Sequence, residues 1–198
     1  MKENQTFKKA RKELKELCEK QDFDSISVTD ISKACGFSRQ NFYKNFTGKD
    51  ELVKMIFMSD MKKALSKDDI YRFGKSSVNI TEALLQNRRF YLNVLHSSGG
   101  EYLCRLFFEY GCIMFRSFAE YSAYRNLSYA QENSLHFYVS GIVTIFLRLL
   151  SGSEKMSAEE FSKLIFESVP SQLKMFITDD GITADYILYK TQKNMKDY

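Results

Sequence analysis

The scarcity of turn-forming residues is the feature of this sequence that most constrains its fold. Proline occurs once and glycine nine times in 198 residues, whereas a β-sandwich or barrel needs a turn signal about every 8–12 residues. Apolar residues recur instead at helical spacing, as in the stripe formed by Phe7, Ala10, Leu14 and Cys18. The sequence therefore predicts an all-α protein.

Composition excludes several broad classes of protein. Apolar residues make up 44% and charged residues 27% of the chain, as in ordinary globular proteins. The longest largely apolar run, residues 142–147, includes Thr144 and is far shorter than the ~18 residues of a membrane span. The first 17 residues carry charges throughout, unlike a secretory signal. We expect a cytoplasmic protein without a membrane segment.

The positive charge is concentrated at the N-terminus. Residues 1–63 hold 14 Lys and Arg against 10 Asp and Glu, while the other 135 residues hold 15 of each. A nucleic-acid-binding module attached to a neutral body would show this asymmetry, because phosphate neutralisation needs cations on one surface. A solvated helical face can carry the same excess, so charge alone does not decide between the two.

Two short helices with clear start and stop signals follow the first helix. Ser27 and Asp30 have the spacing of a capping box, which predicts that a helix begins there. Gly36 suits the left-handed position that ends a helix, and Ser38 is placed to cap the next one. Two helices joined by a tight glycine-containing turn predict a helix-turn-helix.

The third helix, residues 39–46, has distinct inner and outer faces. Phe42 and Phe46, four residues apart, are predicted to face inward. Arg39, Gln40 and Asn41 occupy its first turn and present the forked and amide donors that read base edges in the major groove.

The stretch from Phe23 to Ile56 resembles the DNA-binding segment of TetR/AcrR-type transcriptional regulators. It carries the pattern V-x-D-I-x-K-A-x-G-x-S-x-x-x-x-Y-x-x-F-x-x-K-x-x-L from Val28 to Leu52. The resemblance implies an all-helical homodimer that binds double-stranded operator DNA through an N-terminal helix-turn-helix.

The resemblance also implies which residues contact DNA. By position these residues are Thr29, Ser38, Arg39, Gln40, Asn41, Tyr43, Lys44 and Lys49. Tyr43, Lys44 and Lys49 are expected at phosphates. Two positions depart from the family pattern: Asn45 stands where many relatives have His, and Phe42 where a smaller aliphatic residue is usual.

The rest of the chain predicts a larger helical body. We expect a DNA-binding domain at residues 1–50, a linking fourth helix at about 49–65, and an effector-binding and dimerisation domain at 66–198. Apolar periodicity predicts long helices at 101–121, 128–150 and from Ser157 onward, the last of which should break near Glu167 because Pro170 cannot continue it. A short C-terminal helix is expected after residues 180–181.

Two of these helices are more apolar than one small domain requires. Segments 128–150 and 157–176 therefore predict a partner helix pair, and in the resembling family the last two major helices dimerise as a four-helix bundle. The interface residues that we predict are Ile145, Leu149, Phe161, Leu164 and Ile165.

The body also carries a set of aromatic residues that could line an effector pocket. They are Phe90, Tyr91, Tyr102, Phe107, Phe108, Tyr110 and Phe115. An aromatic stripe at helical spacing is also typical of plain core, and both alternatives stay open. Segment 78–121 resembles a TetR subgroup typified by the dihydroxyacetone-kinase operon regulator, in which the effector is a small molecule or a protein co-regulator.

Metal and cofactor chemistry is not predicted. His96, His136, Cys104 and Cys112 lack zinc-type spacing, and the four cysteines, which include Cys18 and Cys35, form no C-x-x-C pair. We expect buried thiols without disulfides, no cofactor and no metal.

The function that these patterns favour is transcriptional regulation. There is no Gly-rich phosphate loop and no G-x-S-x-G elbow, and only two histidines occur, so an enzyme is not expected. We predict a repressor that binds a palindromic operator as a homodimer under control of an effector. The alternative is an architectural or division-control DNA-binding protein that takes no ligand.

Overall fold

The computed structural model describes residues 5–66, 70–123, 126–177 and 181–195, and they are predominantly helical, which confirms the predicted fold class. The helices are α1 (Gln5–Cys18), α2 (Val28–Cys35), α3 (Arg39–Asn45), α4 (Lys49–Leu65), α5 (Phe73–Gln86), α6 (Arg88–Leu95), α7 (Gly100–Ala123), α8 (Tyr129–Ser151), α9 (Ala158–Glu167), α10 (Ser171–Lys174) and α11 (Ala184–Asn194). Helical periodicity did not predict a short antiparallel pair of strands, β1 (Ile70–Tyr71) and β2 (Ile182–Thr183).

The predicted start and stop signals account for the helix boundaries. The Ser27 side chain accepts a hydrogen bond from the Asp30 amide, and the Asp30 carboxylate accepts one from the Ser27 amide, which completes the capping box of α2. Gly36 then takes φ +69°, a left-handed conformation that glycine adopts without a Cβ penalty. Ser157 and Glu160 form the same kind of capping box at α9.

The breaks in the C-terminal half also follow the sequence. α9 ends at Glu167 and α10 begins at Ser171, so the expected interruption at Pro170 is confirmed. The expected C-terminal helix is α11; residues 178–180 before it lie outside the described residues, as do residues 67–69 in the linker region.

The chain divides into two compact units. The N-terminal unit comprises residues up to Asp60 together with 87–104, and the C-terminal unit comprises residues 61–86 with 105 onward. The helix-turn-helix therefore shares a unit with α6, a grouping that the sequence did not predict. The domain boundaries at residues 50 and 66 remain a prediction.

Each unit has its own apolar core. In the N-terminal unit Leu14, Ile31 and Phe42 are fully buried. In the C-terminal unit the Phe73 ring lies 5.8 Å from the Phe118 ring and 6.2 Å from the Phe115 ring, measured between centroids. Aromatic residues in edge-to-face contact thus fill much of the second core.

Helix α8 is long and unusually apolar. Among the described helices it alone has the length and composition of a membrane span. The shortness of the apolar run at residues 142–147 had not predicted this. A core helix of a soluble protein passes the same test. The Tyr138 hydroxyl of α8 donates to the Ile165 carbonyl of α9 at 2.5 Å, and Phe146 packs on Phe161, so packing against α9 accounts for part of this apolar surface.

Candidate nucleic-acid interface

The turn between α2 and α3 fixes the inner face of α3. Phe42 and Phe46 are buried, with ring centroids 5.0 Å apart. The Ser38 hydroxyl accepts a hydrogen bond from the Asn41 amide at 3.1 Å, which caps the helix. These contacts hold one side of α3 to the unit and leave the other side to solvent.

The outer face of α3 carries most of the residues predicted to contact DNA. Arg39, Gln40 and Lys44 are exposed, and 51% of the Tyr43 side chain is accessible. Asn41 is half-buried. The geometry places four exposed polar side chains and the half-buried Asn41 on one short helix.

Two of the predicted contact residues lie differently. Thr29, on α2, is half-buried. The Lys49 ammonium points inward and donates to the carbonyl oxygens of Phe23 at 2.9 Å and Ile26 at 2.7 Å. It also lies 4.5 Å from the centroid of the Phe23 ring. Lys49 thus stabilises the connection between α1 and α2, and its contact with phosphate remains a prediction.

Helix α6 holds the same connection from another direction. The Asn93 amide nitrogen donates to the carbonyls of Cys18 at 2.8 Å and Gln21 at 2.9 Å, and its oxygen accepts from the Phe23 amide at 2.8 Å. One side chain therefore satisfies three backbone groups between the end of α1 and the start of a short 3-10 helix, Phe23–Ser25. Nothing in the sequence pattern identified Asn93, because a lone asparagine on a helix has no distinctive signal.

A second contact between the α1–α2 connection and the α6 segment joins Asp24 to Ser98. The Asp24 carboxylate accepts hydrogen bonds from the hydroxyl and the amide of Ser98, just beyond the end of α6. These two donors lower the pKa of Asp24 from its ordinary value, since they favour the charged carboxylate. The first part of the connection between α1 and α2, up to Asp24, is thus hydrogen-bonded to the segment that contains α6.

A buried carboxylate joins three helices of this unit. Asp60, in the C-terminal half of α4, accepts hydrogen bonds from the Lys15 ammonium of α1 at 2.9 Å and from the Tyr91 hydroxyl of α6 at 2.8 Å. Lys15 also donates to the Asn87 side chain at 2.8 Å. Burial and the neighbouring carboxylate raise the pKa of Tyr91 well above its ordinary value. We name this group the Asp60 cluster.

The C-terminal unit contains an open apolar groove of about 290 Å³ between α8 and α9. Its lining residues are Phe137, Tyr138, Gly141, Ile142, Ile145, Phe161, Leu164, Ile165 and Ser168. Four of the five predicted dimer residues belong to this set; Leu149 is buried and is not among them. Sequence analysis missed Phe137, of which 83% is exposed, although its i, i+4, i+8 spacing with Gly141 and Ile145 was readable.

The seven aromatic residues proposed for an effector pocket are divided between the two units. Three of them, Phe90, Tyr91 and Tyr102, belong to the N-terminal unit, and the other four belong to the C-terminal unit. Five are buried, while Tyr102 and Phe108 are half-buried. None lines the α8–α9 groove, and contacts such as Phe107 on Phe146 at 5.5 Å are those of packed core. An effector pocket at these aromatics remains a prediction.

The thiols have the surroundings expected of small apolar residues. All four cysteines are free, and all but the half-buried Cys104 are buried. Burial raises the pKa of the Cys18 and Cys112 thiols to about 12. Over the described residues, no three His, Cys, Asp or Glu side chains are grouped to hold a metal ion.

Comparison with known families identifies the class of this protein. A model of bacterial regulatory proteins of the tetR family matches residues 12–56, and a model of a transcriptional regulator C-terminal region matches residues 74–171. The chain belongs to the TetR family of DNA-binding transcriptional regulators, as the helix-turn-helix pattern predicted.

Two comparisons with individual proteins show similarity to the regulator DhaS. The HTH-type dhaKLM operon transcriptional activator DhaS of Lactococcus lactis subsp. lactis (strain IL1403) is 29% identical over 90 residues, which are 45% of this chain and 48% of that protein. The chain thus aligns with about half the length of this curated relative. A solved structure of the dihydroxyacetone kinase operon activator DhaS has a TM-score of 0.64 at 20% identity and covers 88% of this chain and 99% of that one. At this identity the similarity shows the fold.

Proposed function

We propose that this TetR-family regulator binds a palindromic operator as a homodimer in the cytoplasm and reads it with α3. The observation that carries the proposal is the arrangement of α3, whose inner face is anchored by Phe42 and Phe46 while Arg39 and Gln40 face solvent. A helix of this width enters the major groove, and guanidinium and amide groups discriminate base edges there. The hydroxyl of Tyr43 and the ammonium groups of Lys44 and Lys49 would hold phosphates, and these contacts position the helix without selecting sequence.

The homodimer is supported by the α8–α9 groove. Monomeric proteins rarely leave a contiguous apolar surface uncovered, and the groove is lined almost entirely by apolar side chains, with Phe137 projecting at its edge. A two-fold interface uses the same patch on both copies. Two copies joined by this face would present two helix-turn-helix heads to half-sites about 34–36 Å apart or somewhat more.

Effector control is supported by the way in which the chain passes between the two units. The segment 87–104 belongs to the N-terminal unit although C-terminal-unit residues precede and follow it. A small molecule or a protein bound to the C-terminal unit would therefore act on this segment through the chain at both of its ends. A coupling of ~1–3 kcal/mol between effector and operator is enough for useful regulation.

Two directions of regulation are open to such a protein. We propose repression, because a dimer seated on a promoter occludes it. Activation is the second candidate, favoured by the relative DhaS, which is named as a transcriptional activator of the dhaKLM operon. A reporter gene placed behind the bound promoter, with and without the regulator, distinguishes them by the sign of the change.

Chromatin immunoprecipitation tests the proposal against an architectural role. We expect one or a few promoters to be occupied, and dozens of dispersed sites would contradict a local regulator. On the recovered operator, Arg39→Ala should weaken binding by ~1–3 kcal/mol and relax base preference. The matched control Lys163→Ala removes an exposed cation of α9 and should leave binding unchanged. Wild-type affinity and discrimination in Arg39→Ala would refute base reading by α3.

A further inference from the structure

The last turn of α3 contains a side-chain pair that the family pattern does not explain. The Asn45 amide nitrogen donates to the Asn41 backbone carbonyl at 2.8 Å and lies 3.1 Å from the Asn41 side-chain oxygen. Both side chains are half-buried. The pair joins the first turn of α3 to its last residue.

Hydrogen-bond chemistry fixes the orientation of both amides. A backbone carbonyl only accepts, so the Asn45 atom that approaches it must be the NH2 group. The same NH2 group also faces the Asn41 side chain, and the Asn41 atom nearest to it must therefore be Oδ1. No other assignment of the oxygen and nitrogen atoms gives a donor opposite an acceptor at both contacts.

This arrangement changes what Asn41 can offer to DNA. Its Oδ1 is turned toward Asn45, and its backbone amide is used by the Ser38 cap. Its Nδ2 group, with two N–H donors, makes no hydrogen bond among the residues that the structure describes. A free asparagine reads adenine with its oxygen and nitrogen together, whereas Asn41 is arranged as a donor alone.

We propose that Asn45 is a specificity-determining residue, which orients Asn41 so that it selects a base with acceptors at its major-groove edge. Guanine offers two acceptors, N7 and O6, while cytosine offers only a donor. Asn41 therefore favours guanine and rejects cytosine at one position of each half-site. The inference rests on the proposed reading of DNA by α3.

Selection of binding sites from randomised half-site DNA tests the proposal, with the full-length chain and three variants. Wild type should prefer guanine at one position by about tenfold over adenine and cytosine, and Asn41→Ala should lose the preference at that position alone. Asn45→Ala frees the Asn41 oxygen, so adenine should rise to within about threefold of guanine. Lys44→Ala, the matched control on the same helix turn, should lower affinity without changing any base preference.

The isosteric variant Asn45→Asp provides a test of sign. A carboxylate cannot donate, so the Asn41 NH2 group should turn toward the introduced carboxylate and leave Oδ1 facing the DNA. The preference at that position should then move from guanine toward cytosine, whose N4 group is a donor. Thermal melts by circular dichroism establish that each variant is folded at the temperature of selection.

Several results would overturn the inference. If both Asn45 variants are folded and keep the wild-type preference, or lose affinity equally for all sequences, Asn45 only stabilises the end of α3. If Asn41→Ala changes no position while Arg39→Ala does, α3 reads DNA without Asn41, and the proposed function stands alone. If wild type selects no sequence at all, the proposed function itself fails.

Discussion

The two compact units of this protein are stabilised by different kinds of contact. In the N-terminal unit, helices and the α1–α2 connection are joined by directional hydrogen bonds from Lys15, Lys49 and Asn93 to buried carboxylate or backbone groups. In the C-terminal unit, ring contacts such as Phe73 on Phe118 and Phe146 on Phe161 dominate, alongside a few polar pairs.

The units also differ in what they leave exposed. Of the large apolar side chains exposed in the described residues, the N-terminal unit contributes one, Tyr43 on the proposed DNA face. The C-terminal unit contributes the others, namely Tyr121, Tyr129, Phe137, Phe166, Met175 and Tyr189. Directional bonds fix the geometry that a base-reading helix requires, whereas apolar packing tolerates adjustment and offers surface to a partner.

The largest effect that separates the two units should come from the Asp60 cluster. Lys15→Met removes the cation and leaves a buried carboxylate, so the free energy of unfolding should fall by about 3 kcal/mol. The control Lys12→Met acts on the same helix, where Lys12 pairs with Glu16 at 3.5 Å in solvent, and should change it by less than about 1 kcal/mol. Urea unfolding measures both, and equal small losses would mean that the buried ion pair does not stabilise the unit.

The next effect concerns the tie between α6 and the α1–α2 connection. Asn93→Ala removes the partners of three backbone groups, which should cost about 2 kcal/mol of unfolding free energy and weaken operator binding as well. Asn126→Ala changes an exposed asparagine of the C-terminal unit and serves as the control. If Asn93→Ala lowers stability while operator affinity stays at the wild-type value, the connection does not position the DNA-reading helix.

A smaller effect tests close packing in the C-terminal unit. A Cβ atom at Gly111 of α7 would lie 2.9 Å from Val139 Cγ1 of α8, so Gly111→Ala should destabilise the chain by about 1–2 kcal/mol. Adding Val139→Ala should recover part of that loss in thermal melts. Gly74→Ala is the control, because nothing lies within 4 Å of its Cβ position. A double variant that is less stable than additivity predicts would contradict the steric explanation.

Local signals predicted much of the fold. Caps at Ser27, Ser38 and Ser157, the left-handed Gly36 and the break at Pro170 are readable because each depends on the backbone near one residue. The division into units could not be read in this way. That α6 joins the helix-turn-helix depends on Asn93 and Tyr91 meeting groups about 30 to 75 residues away, and a single sequence does not record such pairings.

The candidate site was also predicted only in part. The outward position of Arg39 and Gln40 follows from helical spacing relative to Phe42. The inward turn of Lys49 does not, because its carbonyl partners lie in the connection between α1 and α2, 26 and 23 residues away in sequence. The aromatic residues were grouped by helical spacing, which does not show that the boundary between the units falls inside α7, so that Phe90 and Phe107 belong to different units.

The proposed regulator reads DNA with its N-terminal unit and pairs two chains through the α8–α9 groove of its C-terminal unit. The most direct test measures the stoichiometry and affinity of wild type and Phe137→Asp on a full operator and on a half-site. Because 83% of Phe137 is exposed, the substitution should leave each chain folded but monomeric by sedimentation. It should lose about a hundredfold in affinity for the full operator, with little change on the half-site.

Tyr129→Asp, at an 86% exposed position of the same helix outside the groove, should behave as wild type, with two chains on each operator. A Phe137→Asp protein that is still dimeric and binds the full operator as tightly as wild type would contradict the claim.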